Sequence, residues 1–472
     1  MKTIGIIAEY NPFHRGHAHQ IQTVRNMTNA DCIVVVMSGN FVQRGAPAWT
    51  DKYLRTQMAL EGGADIVMEL PAVYATASAE HFAMGGVSLL HQLGFVDALC
   101  FGSECDDLSV LSKIADFLST PDDDYQKELT AALRTGLSYP AARESILKKR
   151  FPDILQKEPS LLASPNTILG IEYLKALKIR NSEITPIPIL RTDGGYHATK
   201  ESAGFLSASG IRKAFADAFK EKSIAYENTS LKSSLTVNHI PNDVTTRGKL
   251  SEKYIQDTLD ALRECVPKYV QQILTENTSR FPITEDDFSS MIYYRLRTAT
   301  EEELLSVSDM TPELCHRITK ELSYFTNISD FITRIKTKAF TYSRISRVLF
   351  HILLNIKTEY VNTPPLYANL LGFQRTASSL LRNVTEIPVI TKAADADSLL
   401  NVFHEENHAV TIEKENNMDT LPSIQAQGNK FMLARKHWQT DILADDLYRE
   451  IVWQKYGSSL PDAFHTSPII KE

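Results

Sequence analysis

Two histidines, separated by an arginine and a glycine, stand where a short apolar run ends in the segment GIIAEYNPFHRGHAHQI. Gly16 allows the backbone to approach a ligand closely, and a helix that begins here offers free N–H groups and the positive end of its dipole. His14 and His17 lie three residues apart, so both imidazoles can donate to phosphate oxygens as negative charge builds up on them. The pattern predicts a site for the α-phosphate of a nucleotide. A pair of structural histidines in a capped loop is the alternative.

A second candidate phosphate site lies much later, in the segment LSASGIRKAF. Ser207 and Ser209 are suited to the N-terminus of a helix, and Arg212 follows one turn in. Hydroxyls, free helix amides and a guanidinium would then face one anion. An ordinary serine-capped helix is the alternative interpretation.

The elements that must position these residues are indicated by the hydrophobic pattern of the first half of the chain. Five short apolar runs, TIGIIAEY, DCIVVVMSG, ADIVMEL, VDALCFGS and ITPIPILR, are typical of buried parallel strands. Helical segments separate them, and one begins with Thr50-Asp51 as a cap and ends on Gly62-Gly63. The alternation predicts an α/β fold with a doubly wound parallel sheet. In such sheets ligands bind beyond the carboxyl ends of the strands.

The pattern changes in the second half of the chain. Residues 1–222 are predicted to form an ATP-binding catalytic domain, residues 223–250 a polar linker, and residues 251–472 a mainly helical domain. Within the last of these, TEIPVIT and HAVTIEK have the pattern of short strands.

One segment of the helical half is strongly basic. The stretch from Phe331 to Lys357 holds six Lys or Arg residues and no Asp or Glu. It is either a face that binds RNA phosphates or a solvated helix face whose apolar residues turn to the core. The candidate RNA contacts in it are Lys336, Lys338, Arg344 and Arg347.

Composition narrows the class of protein. The 472 residues carry a formal net charge of −7, which excludes a generally basic nucleic-acid-binding coat. No apolar run is long enough for a membrane helix, and the N-terminal segment does not have the pattern of a signal peptide. The five cysteines lack the spacing of a zinc site and are odd in number, which favours a reducing cytoplasm over a disulfide framework.

Taken together, these motifs resemble a known family. NPFHRGH is similar to the HIGH-type motif of the nucleotidyltransferase superfamily, and LSASGIRKAF is similar to its second phosphate-binding signature. The blocks MSGNFVQRGAPAWTDKYLRTQMALEGGADIVMELP, SAEHFAMGGVSLL, FGSE, SPNTILGIEYLKAL and ILRTDGGYH resemble the bacterial tRNA(Met) cytidine acetate ligase family in the same order. The likeness continues more loosely into TKAFTYSRISRVLFHILL and PPLYANLLGFQRTASSLL.

The resemblance implies a Rossmann-like nucleotidyltransferase fold of the HIGH superfamily and an ATP-dependent ligase. Such an enzyme activates acetate as acetyl-adenylate with release of pyrophosphate. It then transfers the acetyl group to the exocyclic amine of the wobble cytidine in elongator tRNA(Met), which forms N4-acetylcytidine. A small-molecule adenylyltransferase of cofactor biosynthesis and a non-catalytic RNA-binding factor on the same fold are the alternatives.

The resemblance also implies roles for individual residues. The catalytic residues would be His14, His17 and Arg212. The ATP contacts would be Ile7, Ala8, Glu9, Tyr10, Asn11, Pro12, Phe13, His14, Arg15, Gly16, His17, Ala18, His19, Gln20, Ile21, Gly102, Asn166, Arg191, Ser207 and Ser209. A tight turn, a helix N-cap and a surface ion pair are the respective alternatives for Gly102, Asn166 and Arg191. Mg²⁺ is expected with the ATP phosphates, although no set of protein ligands for it is visible in the sequence.

Two loop residues, and two positions at which this sequence departs from the family pattern, bear on binding of acetate or tRNA. Gln43 and Arg44 follow the second strand, and Arg44 would hold acetate or the tRNA backbone, unless it pairs with Asp51 or Glu69. The family pattern has an acidic residue where Ala46 stands and an arginine where Asn369 stands. These departures bear on tRNA contact more than on adenylation.

Overall fold

The computed structural model describes residues 1–158, 160–191, 206–217, 259, 262–403 and 421–472, with only the backbone described for 421–429. The predicted linker at 223–250 and the predicted strand in HAVTIEK lie outside the described residues. Among the described helices, none combines the length and the apolar character needed to cross a membrane.

The main sheet takes eight of the described strands. In chain order the strands are β1 (Thr3–Ala8), β2 (Cys32–Ser38), β3 (Phe41–Val42), β4 (Ala46–Pro47), β5 (Ile66–Leu70), β6 (Ala98–Ser103), β7 (Thr185–Leu190), β8 (Ala368–Gln374), β9 (Val389–Ile390) and β10 (Ile469–Lys471). Their spatial order is β10-β8-β5-β2-β1-β6-β7, with β9 beside β8, while β3 and β4 form a separate hairpin.

The described helices surround this sheet. They are α1 (Arg15–Thr28), α2 (Lys52–Glu61), α3 (Ala72–Ala75), α4 (Ala79–Gln92), α5 (Leu108–Ser119), α6 (Asp123–Arg134), α7 (Tyr139–Arg150), α8 (Pro152–Lys157), α9 (Pro165–Ile179), α10 (208–217), α11 (Lys268–Glu276), α12 (Ser289–Thr298), α13 (Glu301–Leu305), α14 (Pro312–Glu321), α15 (Ile328–Ile335), α16 (Tyr342–Leu354), α17 (Ser378–Leu381), α18 (396–403) and α19 (Leu421–Tyr456).

The five strands predicted from the apolar runs are confirmed as β1, β2, β5, β6 and β7, and all pair in parallel. Every residue of β2 and β5 is buried, because helices cover both faces of the sheet. The predicted cap of α2 is confirmed at Asp51, whose carboxylate accepts hydrogen bonds from the N–H groups of Tyr53 and Leu54. The doubly wound α/β fold therefore follows from local pattern and short connections.

The C-terminal half is mainly helical, yet it also returns strands to the sheet. Strand β8 pairs antiparallel with β5, and β10 pairs parallel with β8. The strand predicted in TEIPVIT is confirmed as β9. Strands β8 and β10 were not predicted from the sequence, because a run such as ANLLGFQ is equally typical of a buried helix. The division into domains at residue 222 stays a prediction.

The hydrophobic core continues from the sheet into the C-terminal helices. The ring of Phe41 lies 5.4 Å from Phe288, 5.6 Å from Phe350 and 6.4 Å from Tyr448, measured between ring centroids. These partners come from the start of α12, from α16 and from α19. The hairpin that follows β2 is therefore fixed by the helical half of the chain.

Candidate active site at the carboxyl ends of the strands

The turn between β1 and α1 is closed by the two histidines themselves. His14 is the N-cap residue of α1, and its Nδ1 accepts a hydrogen bond from the N–H of Gly16 at 3.1 Å. Nδ1 of His17 accepts in return from the N–H of His14 at 3.3 Å. Since each Nδ1 is an acceptor, these bonds assign the proton of each neutral imidazole to Nε2. The arrangement leaves two N–H donors at the N-terminus of a helix.

The imidazoles are stacked and kept neutral. Their ring centroids are 3.6 Å apart, with 22° between the planes. Burial, and then the charge of Arg191, lower the pKa of His14 to about 3. Burial, His14 and Arg191 hold the pKa of His17 well below its ordinary value. Nε2 of His14 is buried and has no hydrogen-bond partner among the described residues, which is an unusual state for a buried N–H group.

Asn11-Pro12, which precedes the histidines, has residue types suited to capping this turn, but Asn11 does not cap α1. Its Oδ1 accepts a hydrogen bond from the N–H of Trp49 at 2.7 Å, so its side chain ties the turn to the chain entering α2. The cap of α1 is His14 instead. Tyr10, Phe13 and Ile21 are buried in the core. Within the segment from Ile7 to Ile21, these three side chains therefore pack in the core and stabilise the turn.

The two phosphate motifs are brought together. Oγ of Ser207 accepts from the N–H of Gly210 at 3.2 Å, which caps the start of α10 as predicted. Arg212 donates from Nη2 to Oγ of Ser209 at 3.2 Å and from Nη1 to the backbone carbonyl of Asn11. Its guanidinium therefore bridges α10 and the turn that carries the histidines. This contact brings together the two motifs that the resemblance to the nucleotidyltransferase superfamily implied would share one ligand.

Gly102 and Arg191 lie on the β6–β7 side of the histidines. A Cβ at Gly102 would come within 3.1 Å of Cγ of Arg191, so glycine leaves room for this side chain. Arg191 is also close enough to both imidazoles to lower their pKa values. Both residues therefore lie near the histidine turn, and their contact with ATP stays a prediction.

Asn166 is engaged by a carboxylate. Its Nδ2 donates to Oε1 of Glu104 at 2.6 Å, and Oε2 of Glu104 accepts from the N–H of Thr167 at 2.8 Å. Glu104 therefore caps α9, and the interpretation of Asn166 as an N-cap is wrong. Glu104 directly follows β6, so Asn166 still lies near the carboxyl end of that strand.

The loop between β3 and β4 carries Gln43 and Arg44. The N–H of Gln43 donates to Oε1 of Glu9 at 3.0 Å, which ties the loop to the end of β1. Arg44 is exposed and pairs with neither of the carboxylates proposed as alternatives. In the part of the chain that the structure describes, Asp51 bonds to Arg280 at 3.1 Å and Glu69 bonds to Lys52 at 2.8 Å.

A cavity of about 770 Å³ opens beside this loop. Its polar lining combines carboxylates with cations, and its apolar lining includes three aromatic rings. These two sets include Glu9, Arg44, Arg212, Lys213, Glu285, Lys455, Trp49, Phe215 and Tyr342. Glu285 and Tyr342 were not predicted from the sequence, because no motif joins them to the nucleotide site.

The basic segment is only partly available to RNA. Nε of Arg347 lies 2.9 Å from Oδ2 of Asp309, and Arg344 donates to the backbone carbonyl of Asp309 at 3.3 Å. Arg347 is largely buried, so this pair stabilises the start of α16. Lys336 and Lys338 are exposed. All four residues stay predicted phosphate contacts, and the two lysines are more exposed than the two arginines.

The two departures from the family pattern lie in different surroundings. Ala46 begins β4 and lines the cavity. Asn369 donates to Oε2 of Glu69 at 2.6 Å inside a buried network around Lys52. Nζ of Lys52 bonds to Glu69 and to Asp445 at 2.6 Å, which links α2 and β5 to α19. Asn369 is therefore a structural residue.

No group of three or more His, Cys, Asp or Glu side chains is arranged to hold a metal ion within the described ranges. In ATP reactions Mg²⁺ is usually held by phosphate oxygens, water and one or two carboxylates.

Comparisons with known proteins place the chain in a family. A family model described as HIGH Nucleotidyl Transferase matches residues 1–459. Proteins named tRNA(Met) cytidine acetate ligase are similar in Caldanaerobacter subterraneus, at 38% identity over 84% of this chain and 90% of the relative, and in Acetivibrio thermocellus, at 36% over 84% and 89%. A crystal structure of Thermotoga maritima TmcAL bound with alpha-thio ATP is 26% identical, with a TM-score of 0.77 over 100% of this chain and 99% of that one. The chain belongs to the tRNA(Met) cytidine acetate ligase family of HIGH nucleotidyltransferases.

Proposed function

We propose that the protein activates acetate with ATP and transfers the acetyl group to the wobble cytidine of elongator tRNA(Met). The observation that carries the proposal is the pair of neutral, stacked imidazoles at the N-terminus of α1, in which Nε2–H of His14 has no partner among the described residues. The name of the relatives, together with their coverage of both halves of the chain, supplies the substrate.

In the first step, a carboxylate oxygen of acetate attacks the α-phosphorus of ATP. A new P–O bond forms, the bond to the β-phosphate oxygen breaks, and pyrophosphate leaves with the electron pair. His14 and His17 donate from Nε2 to the α-phosphate oxygens, on which charge accumulates. Because their pKa values are lowered, the imidazoles stay neutral through the working pH range and lose no proton to the phosphate.

Pyrophosphate is held by the second motif. The guanidinium of Arg212, the hydroxyl of Ser209 and the first N–H groups of α10 converge at one place. A helix N-terminus and a guanidinium both favour a dense negative charge. Mg²⁺ remains expected with the phosphates, and neither chemical step is routed through it.

In the second step, the exocyclic amine of cytidine attacks the carbonyl carbon of acetyl-adenylate. The new C–N bond forms, the bond to the phosphate oxygen breaks, and AMP leaves. The amine also loses a proton. The first step needs no general base, because acetate is already ionised, and in the second step the acyl phosphate is already activated.

The tRNA is expected to contact the helical half through its phosphates. Lys336 and Lys338 are exposed and are suited to this contact. The five cysteines are free thiols, which agrees with a reducing compartment such as the cytoplasm.

The proposal is tested with two separate readouts on the purified protein. Acetate-dependent exchange between ATP and pyrophosphate reports the first step, and acetylcytidine in unmodified elongator tRNA(Met) reports the whole reaction. The variant His14→Asn keeps a side chain suited to the N-cap but removes the imidazole N–H. It is expected to lose exchange and to retain tRNA binding.

The matched control is His316→Ala, since His316 is exposed on α14. It is expected to behave as the wild type. Exchange at the wild-type rate in His14→Asn would contradict the role of this imidazole. Exchange by the wild type with no acetylcytidine would favour a small-molecule adenylyltransferase.

A further inference from the structure

The large cavity lies on the opposite side of the histidine turn from Gly102 and Arg191. In the sheet, β1 is flanked by β6 on one side and by β2 on the other. Gly102 and Arg191 belong to the β6–β7 side, and neither lines the cavity. The cavity is lined instead by the hairpin after β2, by the end of β1 and by residues 282–285 and 341–343. It meets the two phosphate motifs at Asn11, Arg212, Lys213 and Phe215.

The side chains that line the cavity are suited to binding a nucleobase. Trp49 and Phe215 are 4% and 1% exposed and pack edge to face, with ring centroids 4.9 Å apart, so they form an apolar floor. The ring of Tyr342, on another part of the wall, is partly exposed. Aromatic rings stack with the bases of single-stranded RNA, and a volume of this size exceeds what acetate needs. The cavity is therefore a candidate for the second substrate.

The carboxylate of Glu285 is suited to accept a hydrogen bond from the exocyclic amine of such a base. The hydroxyl of Tyr342 donates to Oε1 of Glu285, and no hydrogen bond from the described residues engages Oε2. Burial raises the pKa of Glu285, while the bond from Tyr342 opposes this change. A carboxylate is the usual acceptor for the exocyclic N4 amine of cytosine.

We propose that this cavity receives the wobble cytosine turned out of the anticodon stack, with the N4 amine donating to Oε2 of Glu285. Tyr342 acts as a positioning residue that holds the carboxylate through Oε1. The inference rests on the proposed function and deepens it.

The bonds formed and broken in the transfer step, and the proton released, can all be placed within this site. The N4 lone pair forms the bond to the acetyl carbon, and the acyl–phosphate bond breaks with its electron pair on AMP. The proton lost by N4 passes to the carboxylate of Glu285 and from there to water. The raised pKa of this group supports its capacity to take that proton.

The test measures activation of acetate and transfer of the acetyl group separately in the variants Glu285→Gln and Tyr342→Phe. Glu302→Gln is the matched control, because Glu302 is exposed on α13 and lies outside the cavity. Acetate-dependent exchange between ATP and pyrophosphate reports activation. Single-turnover formation of acetylcytidine reports transfer, and circular dichroism reports folding.

For Glu285→Gln we expect exchange within about twofold of the wild type and transfer slowed by about a hundredfold or more. For Tyr342→Phe we expect slower transfer, with the acidic limb of its pH–rate profile moved to higher pH. The direction follows because the Tyr342 hydroxyl lowers the pKa of Glu285, and its removal lets that pKa rise. A merely structural role of Tyr342 would not move this limb.

Three results would overturn the inference. One is transfer by Glu285→Gln at the wild-type rate. Another is equal loss of exchange and transfer in a folded Glu285→Gln, which would place the cavity at the ATP. The third is an unshifted pH profile in Tyr342→Phe, which decides the matter if Glu285→Gln does not fold. A wild type that exchanges pyrophosphate but never acetylates tRNA would instead refute the proposed function.

Discussion

Because neutral His14 is buried, the free energy of unfolding of the protein decreases at acidic pH. The unfolded chain binds a proton at the ordinary imidazole pKa of 6.5, whereas the folded pKa is about 3. Stability from this group is therefore complete above pH 6.5 and is lost as the pH falls towards 3. Between pH 7.5 and pH 5.0, a folded pKa of about 3 makes the loss about 2 kcal/mol.

The variant His14→Asn isolates this contribution, because carboxylates titrate alike in both proteins. His14 also helps to lower the pKa of His17, so its removal reduces part of the loss due to His17 as well. We therefore expect the free energy of unfolding to fall less on acidification in His14→Asn than in the wild type. Between pH 7.5 and pH 5.0, the decrease in the free energy of unfolding is expected to be smaller in the variant by about 2 kcal/mol or more.

Denaturant unfolding at pH 7.5 and at pH 5.0 measures the difference, and His316→Asn serves as the exposed-histidine control. Imidazole nitrogen shifts by NMR give an independent check, with a neutral ring protonated on Nε2 at pH 5.0 as the expected state. Parallel pH dependences in His14→Asn and the wild type would refute the reasoning. A doubly protonated His14 at pH 5.0 would refute it as well.

The remaining predictions concern binding and stability. Arg212→Ala removes the guanidinium between α10 and the histidine turn, and we expect kcat/KM for ATP to fall by about tenfold or more in the exchange assay; an unchanged value would contradict its role. Lys336→Ala with Lys338→Ala should weaken tRNA binding and reduce the salt-dependence slope by about two, with exchange unaffected. An unchanged slope would exclude phosphate contact at these lysines. Lys52→Met leaves the buried carboxylates of Glu69 and Asp445 without their cation, so the free energy of unfolding should fall by about 3–5 kcal/mol, and a fall below about 1 kcal/mol would contradict the role of this cation.

The parts of the site that depend on local chemistry were accessible from the sequence. A glycine between two histidines after a buried strand predicts the anion site at α1, and the serine cap of α10 follows from residue type. The resemblance to the nucleotidyltransferase superfamily implied that Arg212 meets the same ligand, and the bond of Arg212 to Asn11 brings it to the histidine turn. The individual ATP contacts stay predictions.

The parts that depend on distant pairing were not accessible. Strand β8 joins β5 across some three hundred residues, and nothing in its apolar run specifies an antiparallel partner. Arg347 is a candidate RNA contact, and its pairing with Asp309 depends on how α16 packs. Glu285 and Tyr342 meet only after the helical half folds, so neither residue carries a local signal of its role.

The most direct test of the central claim is acetylation of unmodified elongator tRNA(Met) by the purified protein with ATP and acetate. Nuclease digestion and mass spectrometry of the product identify the modified base and its position. We expect one N4-acetylcytidine at the wobble position, dependent on both ATP and acetate. Pyrophosphate release with acetate but an unmodified wobble cytidine would contradict the claim.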